Sequence, residues 1–239
     1  MKGQRMAFLG IMAAVLMLCC REENAIPATA TAEITETKYV ALTFDDGPRA
    51  STTGRLLDGL RERGASATFF MIGQQIAGNE DLVRRMRDEG HQVGNHTWDH
   101  VKLQGLPEAA VSEEICKTDD AIWDILGDGT YWVRPPYGLL NQNQREWFST
   151  PLVHWSVDPE DWKLLNTQKV VSAVLKKVQP GDIILLHDFY PTSVDAALQI
   201  VDKLEAQGYE FVTVEELMAL YGVTPQPGEF YTSARKAAE

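Results

Sequence analysis

Short apolar runs alternate along this chain with longer amphipathic stretches, and several runs are continuously apolar rather than alternating. Residues 39–44 (YVALTF), 67–72 (ATFFMI) and 182–186 (DIILL) carry apolar side chains at successive positions, hence on both faces of a strand. Strands buried on both faces belong to parallel sheets covered by helices. The other strand candidates are 91–94 (HQVG), 130–133 (TYWV), 152–157 (LVHWSV) and 209–213 (YEFVT). Helical periodicity predicts helices over 52–63, 80–89, 107–126, 141–148, 167–178, 193–207 and 214–220. Seven βα units in about 185 residues predict an α/β fold: a closed or nearly closed, TIM-barrel-like (β/α)7 barrel of parallel strands forming a single domain. A doubly wound open sheet is the alternative.

With 239 residues and 44% hydrophobic content, the chain suffices for one sizeable domain. Its net charge of −12 repels phosphate backbones and argues against a nucleic-acid partner. Residues 1–20 have a basic start, Lys2 and Arg5, followed by the uncharged run MAFLGIMAAVLMLCC. That is the layout of an export signal, too short for a comfortable membrane span. Export places the protein in the periplasm, anchored to the cell envelope, or outside the cell. LMLC at Leu16 to Cys19 loosely resembles a bacterial lipoprotein box, with lipid attached at Cys19 or Cys20; cleavage near PATA is the competing outcome. Residues 21–37 read as a linker, 38–221 as the catalytic domain, and 222–239 as a loose tail. Cys116, the only cysteine of the domain, excludes an internal disulfide framework and is expected to be a packing residue on a helix.

Polar residues able to do chemistry fall just after strands five times running. Asp45 and Asp46 follow the first candidate strand, and His96 and His100 the third. Arg134 follows the fourth, Asp158 and Asp161 the fifth, His187 and Asp188 the sixth. In a parallel βα fold these positions meet at one rim, at the carboxyl ends of the strands. His96 and His100, four apart, face one way if the stretch forms a helical turn, and a carboxylate from the Asp45–Asp46 pair would complete a two-His, one-Asp metal site. Because successive strand side chains diverge, one aspartate can bind metal while the other points into the cleft. A capped turn with solvated acids is the plainer reading of the pair, and DGP supports it. His91 and His154 read as structural, Trp155 as core, and Asp158 and Asp188 as turn or loop supports. Trp98, Tyr137 and Trp162 are aromatic residues near the same rim, with flat faces available for stacking.

Read together, TFDDGP, HTWDH, RPPYG, DPEDW and LLHD resemble, in order, the five motifs of the polysaccharide deacetylases of the NodB-homology class, carbohydrate esterase family four. The likeness extends through ATFFMIG, GHQVGNH, HWSVD, QPGDIILLHD and GYEFVTVEEL, over roughly residues 38 to 220. The resemblance implies Asp45 as general base and Asp46, His96 and His100 as ligands of one divalent metal. It implies Arg134 as the residue orienting the base, the Tyr137 N–H as oxyanion donor and Pro136 as the residue shaping its loop. Asp161 would hold the catalytic histidine, Trp162 would form a wall of the groove, His187 would be the general acid and Leu185 would line the acetyl pocket. Zn²⁺ suits the ligand set first, and Co²⁺, Ni²⁺ or Mn²⁺ would also bind.

The implied activity is hydrolytic removal of N-acetyl groups from N-acetylglucosamine units of a glycan: peptidoglycan, a chitin-type polymer or an exopolysaccharide. O-deacetylation, as by an acetylxylan esterase, is one alternative, and non-catalytic carbohydrate binding another. A non-haem iron oxygenase shares the ligand types but not the five motifs. Oligomeric state is not readable from the sequence.

Overall fold

The computed structural model describes residues 37–127 and 129–235. The export signal, the lipid-attachment cysteines and all but the last residue of the expected linker lie outside the described residues. Among those described, no helix is long and apolar enough to cross a membrane.

The chain runs β1 (Lys38–Asp45), α1 (Thr53–Arg63), β2 (Thr68–Met71), α2 (Glu80–Asp88), β3 (Gln92–Asn95) and α3 (Glu108–Leu126). It continues through β4 (Leu152–Val153), α4 (Asp161–Leu164), α5 (Thr167–Lys177) and β5 (Ile183–His187). Then follow α6 (Pro191–Glu205), β6 (Tyr209–Val212), α7 (Val214–Leu220) and β7 (Phe230–Tyr231). β3, β2, β1 and β5 pair in that order, and β6 joins the first half of β1. Single parallel bridges carry the sheet onward, Asn95 to Val133, Val133 to Leu152, and Val157 back to Ile184 of β5. The ring therefore closes, but through single-residue links on one side: a distorted (β/α)7 barrel.

The expected strands over 130–133 and 152–157 shrink accordingly to the Val133 bridge and to β4 with the Val157 bridge. Pro135 and Pro136, which have no N–H to give a ladder, follow Arg134 at once, so the ladder ends with the Arg134 N–H on the Asn95 carbonyl. The helix expected over 141–148 is a 3₁₀ helix over Gln142–Trp147, closed at its start by an Asn141–Gln144 capping box. Over its described residues, 222–235, the tail is not loose: β7 pairs with β4, and Ala234 is fully buried. Phe230 and Tyr231 supply the apolar area that a tail of polar residues would lack.

Alternation along β1 sets up the whole molecule. Val40, Leu42 and Phe44 face outward into the apolar layer shared with Leu56 and Leu60 of α1 and Ala197 and Ile200 of α6. Ala41, Thr43 and Asp45 point the other way, into the barrel. Ala41 packs with Phe70, Trp132 and Ile183 and with Val214, Leu217 and Met218 of α7. α7 begins beside the first residues of β2 and β3, where Val214 N–H donates to Thr68 Oγ1 and Glu215 N–H to Gln92 Oε1, so it closes the end opposite the strand C-termini. β5 repeats the pattern, with Ile184 and Leu186 outward and Ile183, Leu185 and His187 inward. Truncating a fully buried outward residue such as Leu42 to Ala should cost about 2–5 kcal/mol.

Candidate active site

The inward face of β1 leads from apolar floor to polar rim. Thr43 Oγ1 donates to the Ile184 carbonyl (2.7 Å) and accepts from Arg134 Nη1 (2.8 Å). The same Nη1 donates to Asp45 Oδ1 at 2.7 Å, Nη2 donates to the His154 carbonyl at 2.9 Å, and the guanidinium lies 4.2 Å from the centre of the Phe70 ring. Arg134 is 0% and Asp45 3% exposed, so this is an ion pair inside the barrel. Burial pushes the Asp45 pKa up, but the charge of Arg134, with lesser help from His96 and His187, outweighs it and holds the carboxyl below the usual range. Asp45 is thus an anion at neutral pH.

His96 follows β3 directly and is buried. Its Nδ1 lies 2.6 Å from the Arg134 carbonyl, which can only accept, so Nδ1 carries the proton and Nε2 keeps its lone pair. Nε2 sits 3.6 Å from Asp46 Oδ1, and His100 Nε2 sits 3.5 Å from the same oxygen. The stretch between the histidines is not the expected helical turn. Backbone at φ 69° (Thr97) and φ 63° (His100) folds it back instead. Asp46 also breaks the expected divergence of the two carboxylates. At φ 73° it leaves the strand alternation, and both aspartates border His96 Nε2, the Asp45 Oδ2 contact being 3.6 Å.

Asp46, His96 and His100 offer ligand atoms that all lie within 4.8 Å of one another. Asp46 Oδ1 is buried with no hydrogen-bond partner, a costly state for a carboxylate oxygen unless a cation takes that place. Burial and the neighbouring His96 lower the His100 pKa below its ordinary 6.5, which keeps that imidazole neutral as a ligand must be. The donor set fits a divalent cation.

Across the cleft, β5 ends at His187, in register with Asp45. His187 Nδ1 lies 2.8 Å from Asp161 Oδ1, and His187 N–H donates to Asp161 Oδ2 at 2.9 Å. Burial alone would lower the His187 pKa; the hydrogen bond and charge of fully buried Asp161, then Asp45 and Asp46, reverse this and raise it to about 9. His187 is therefore an imidazolium at pH 7, with Nε2 free to give a proton.

These groups line one cavity of about 410 Å³, together with Leu185 on its floor and Tyr137 and Trp162 on its walls. Trp162 is 48% and Tyr137 61% exposed, surfaces suited to sugar faces. Tyr137 adopts φ 61° in the turn over Pro136–Gly138, and Pro136 is buried beneath it rather than facing the cavity. His154 Nε2 lies 2.9 Å from the Gly138 carbonyl and braces this turn, a structural role as expected. His91 is structural too: its Nδ1 accepts from Ala67 N–H at 3.1 Å.

The sequence reading missed three features of the wall. Trp155 packs against the inner apolar cluster as expected but also lines the cavity, because its segment pairs through single bridges and leaves one face open. Tyr190 also lines the cavity, and only its place three residues after His187 hinted at it. Trp98 is absent from the wall and packs against Gly73, where a Cβ would lie 2.4 Å from the indole. Cys116, expected to pack, is exposed and free. Asp158 lines the cavity while capping its own turn, accepting from Glu160 N–H at 2.7 Å, and buried Asp188 accepts from Thr53 Oγ1, as supporting residues should.

The α/β barrel thus presents a two-His, one-Asp donor set between a buried aspartate and a protonated histidine. The sequence profile described as polysaccharide deacetylase matches residues 32–149. The chain is 43% identical over 194 residues to the peptidoglycan-N-acetylglucosamine deacetylase PgdA of Listeria monocytogenes, covering 81% of this chain but only 41% of that protein. It is 36% identical over 203 residues to the chitooligosaccharide deacetylase of a Bradyrhizobium species, covering 77% of this chain and 93% of that one. Its fold matches the family 4 acetyl xylan esterase from Clostridium thermocellum, solved with a cobalt ion, at a TM-score of 0.79 and 32% identity, over 83% of this chain and 100% of that one. The chain belongs to the polysaccharide deacetylase family.

Proposed function

We propose that this protein is a metal-dependent hydrolase that removes N-acetyl groups from N-acetylglucosamine units of a glycan. The observation that carries the reading is that Asp45, the Asp46–His96–His100 set and His187, held from behind by buried Asp161, border one cavity. Asp46, His96 and His100 would hold a divalent cation, for which Zn²⁺ is our choice. When bound, such a cation polarises an acetyl carbonyl and lowers the pKa of bound water towards about 7.

The chain's own groups do the rest. Asp45, held ionised by Arg134, accepts the proton of the attacking water. In this reading the Tyr137 N–H donates to the oxygen that gains charge, an interaction worth about 3–4 kcal/mol where single donors have been removed. His187, charged through Asp161, gives its Nε2 proton to the departing nitrogen, so that a neutral amine leaves rather than an amide anion. Leu185 bounds the acetyl methyl, and Trp162 with Tyr137 holds the sugar. Export of the protein to the cell envelope, with or without a lipid on Cys19 or Cys20, would place this site beside polymeric glycan.

Acetate release from N-acetylglucosamine oligomers, with and without added metal, tests the proposal. No release from any acetylated glycan would leave only carbohydrate binding. The likeness to an acetyl xylan esterase favours O-deacetylation as the second reading. Acetate release from acetylxylan alone would select it.

A further inference from the structure

We propose that Arg49 is a specificity-determining residue that pairs with a carboxylate carried by the glycan, which makes peptidoglycan the substrate class. This rests on the deacetylase reading above and deepens it. Arg49 is half-buried, three residues beyond Asp46. Its guanidinium carbon lies 3.3 Å from the centre of the Phe189 ring. Phe189 packs edge-to-face on Tyr190 at 5.1 Å, and Tyr190 lines the cavity beside Asp46 and His187. The backbone of Arg49 is tied to the start of α1: its N–H donates to Thr53 Oγ1 (2.8 Å), and its carbonyl accepts from Thr52 and Thr53 N–H (3.1 and 2.9 Å).

Stacking occupies the face of a guanidinium and leaves its in-plane N–H fork free, the geometry that binds a carboxylate through two parallel hydrogen bonds. Among the described residues Arg49 has no acidic partner, although acidic residues outnumber Lys and Arg by 34 to 22 in this chain. Most other arginines near the surface are paired, as Arg63 is with Asp202 at 2.7 Å; Arg145, stacked on Phe230, also has no acidic partner among the described residues, but it is not in the segment that follows Asp46. An unpaired, pre-oriented cation one aromatic pair away from the reacting cavity suits an anionic group on a neighbouring sugar. Chitin has no such group. Peptidoglycan has one on every second sugar, either the lactyl carboxylate of a peptide-free muramic residue or the carboxylates of the attached peptide.

The test compares the zinc-loaded wild type with Arg49→Ala and Arg49→Lys on three substrates: N-acetylglucosamine oligomers, glycan strands stripped of peptide, and peptide-bearing strands. The ratio of kcat/KM on carboxylate-bearing strands to that on neutral oligomers should fall about tenfold in Arg49→Ala, mostly through KM. Arg49→Lys should recover part of it. A fall confined to stripped strands assigns the lactyl group, and one confined to peptide-bearing strands assigns the peptide. An unchanged ratio would overturn the proposal. Binding of the same strands to Asp45→Asn and to Asp45→Asn/Arg49→Ala, followed by calorimetry, reads the pairing without turnover. About tenfold weaker binding in the double variant supports it even if the wild type releases no acetate, and equal binding overturns it. Absence of acetate release by the wild type would instead count against the deacetylase reading.

Discussion

Replacing Asp161 with Asn should move the basic limb of the pH–rate profile by more than two pH units. Asp161 is fully buried and holds His187 through two hydrogen bonds, 2.8 Å to the ring and 2.9 Å to the backbone N–H. Burial works against the imidazolium, yet the His187 pKa rises from 6.5 to about 9. That difference corresponds to about 3 kcal/mol of preference for the charged ring. Asp161 is the first of the groups that raise it, ahead of Asp45 and Asp46. A divalent cation beside Asp46 would offset the charge of the latter pair but not that of Asp161. Asn keeps the shape and loses the charge, so burial should then carry His187 below 6.5.

At pH 7.5 the wild-type ring is almost wholly protonated, while the variant ring would be protonated to about a tenth or less. We expect kcat/KM at that pH to fall at least about tenfold, within a range that extends to about 10⁴ for loss of general acid catalysis. Activity should recover on the acid side. The His187 ring proton, followed by NMR, should titrate near 9 in the wild type and below 6.5 in the variant. Stability has the matching sign. A raised histidine pKa contributes stability that is present below pH 6.5 and lost as pH rises towards about 9, and the variant should lack that slope in urea titrations. A variant whose profile and ring titration both stay near 9 would refute the account.

His96→Ala and Asp45→Asn should separate ligand from base. Both abolish acetate release, but only the first should weaken Zn²⁺ binding in chelator competition, by more than the 10–100-fold typical of an outer-shell partner. Arg134→Met leaves Asp45 buried and uncompensated and should cost about 3–5 kcal/mol in urea unfolding. Because the wild-type Asp45 pKa is depressed, its contribution is present above the ordinary carboxylate pKa and lost in acid, so the deficit of Arg134→Met should narrow as pH falls through that range. His154→Leu removes the brace on the Gly138 carbonyl and should lower kcat more than it raises KM, with a stability loss of about 1 kcal/mol by thermal melting.

The fold was legible wherever one local rule governed a segment. β1, β2 and β5 are apolar on both faces, which announces a buried parallel strand before any partner is known. α7 spans Val214–Leu220 as its helical periodicity predicts, and a Thr213–Glu216 capping box fixes its start. The side of the barrel around Val133 and Leu152 was not legible. Pairing there consists of isolated bridges, and a strand one or two residues long has no period to read. The tail failed for a related reason. Phe230 and Tyr231 are two apolar residues among polar ones, and only the open edge of β4 makes them a strand.

For the site, the residue types and their strand-end positions were visible, while the backbone that aims them was not. Asp46, Thr97, His100 and Tyr137 all occupy the left-handed region, at φ 73°, 69°, 63° and 61°, and three of the four line the cavity. Each such residue costs on the order of 1–3 kcal/mol unless its surroundings impose it. Here the imposing contacts trace to distant parts of the chain. His154 holds the Gly138 carbonyl, and Asn95, whose side-chain amide is anchored on the Ile115 carbonyl and Asp119 of α3, accepts from Thr97 N–H through Oδ1 at 2.8 Å. Local propensity therefore disfavours the very conformations the site uses. That is why helical spacing suggested a turn between His96 and His100, and strand alternation suggested diverging aspartates. The carboxylates and imidazoles meet only because the closed barrel overrides those local preferences at four points, so weakening its hold should loosen the donor set before it unfolds the core.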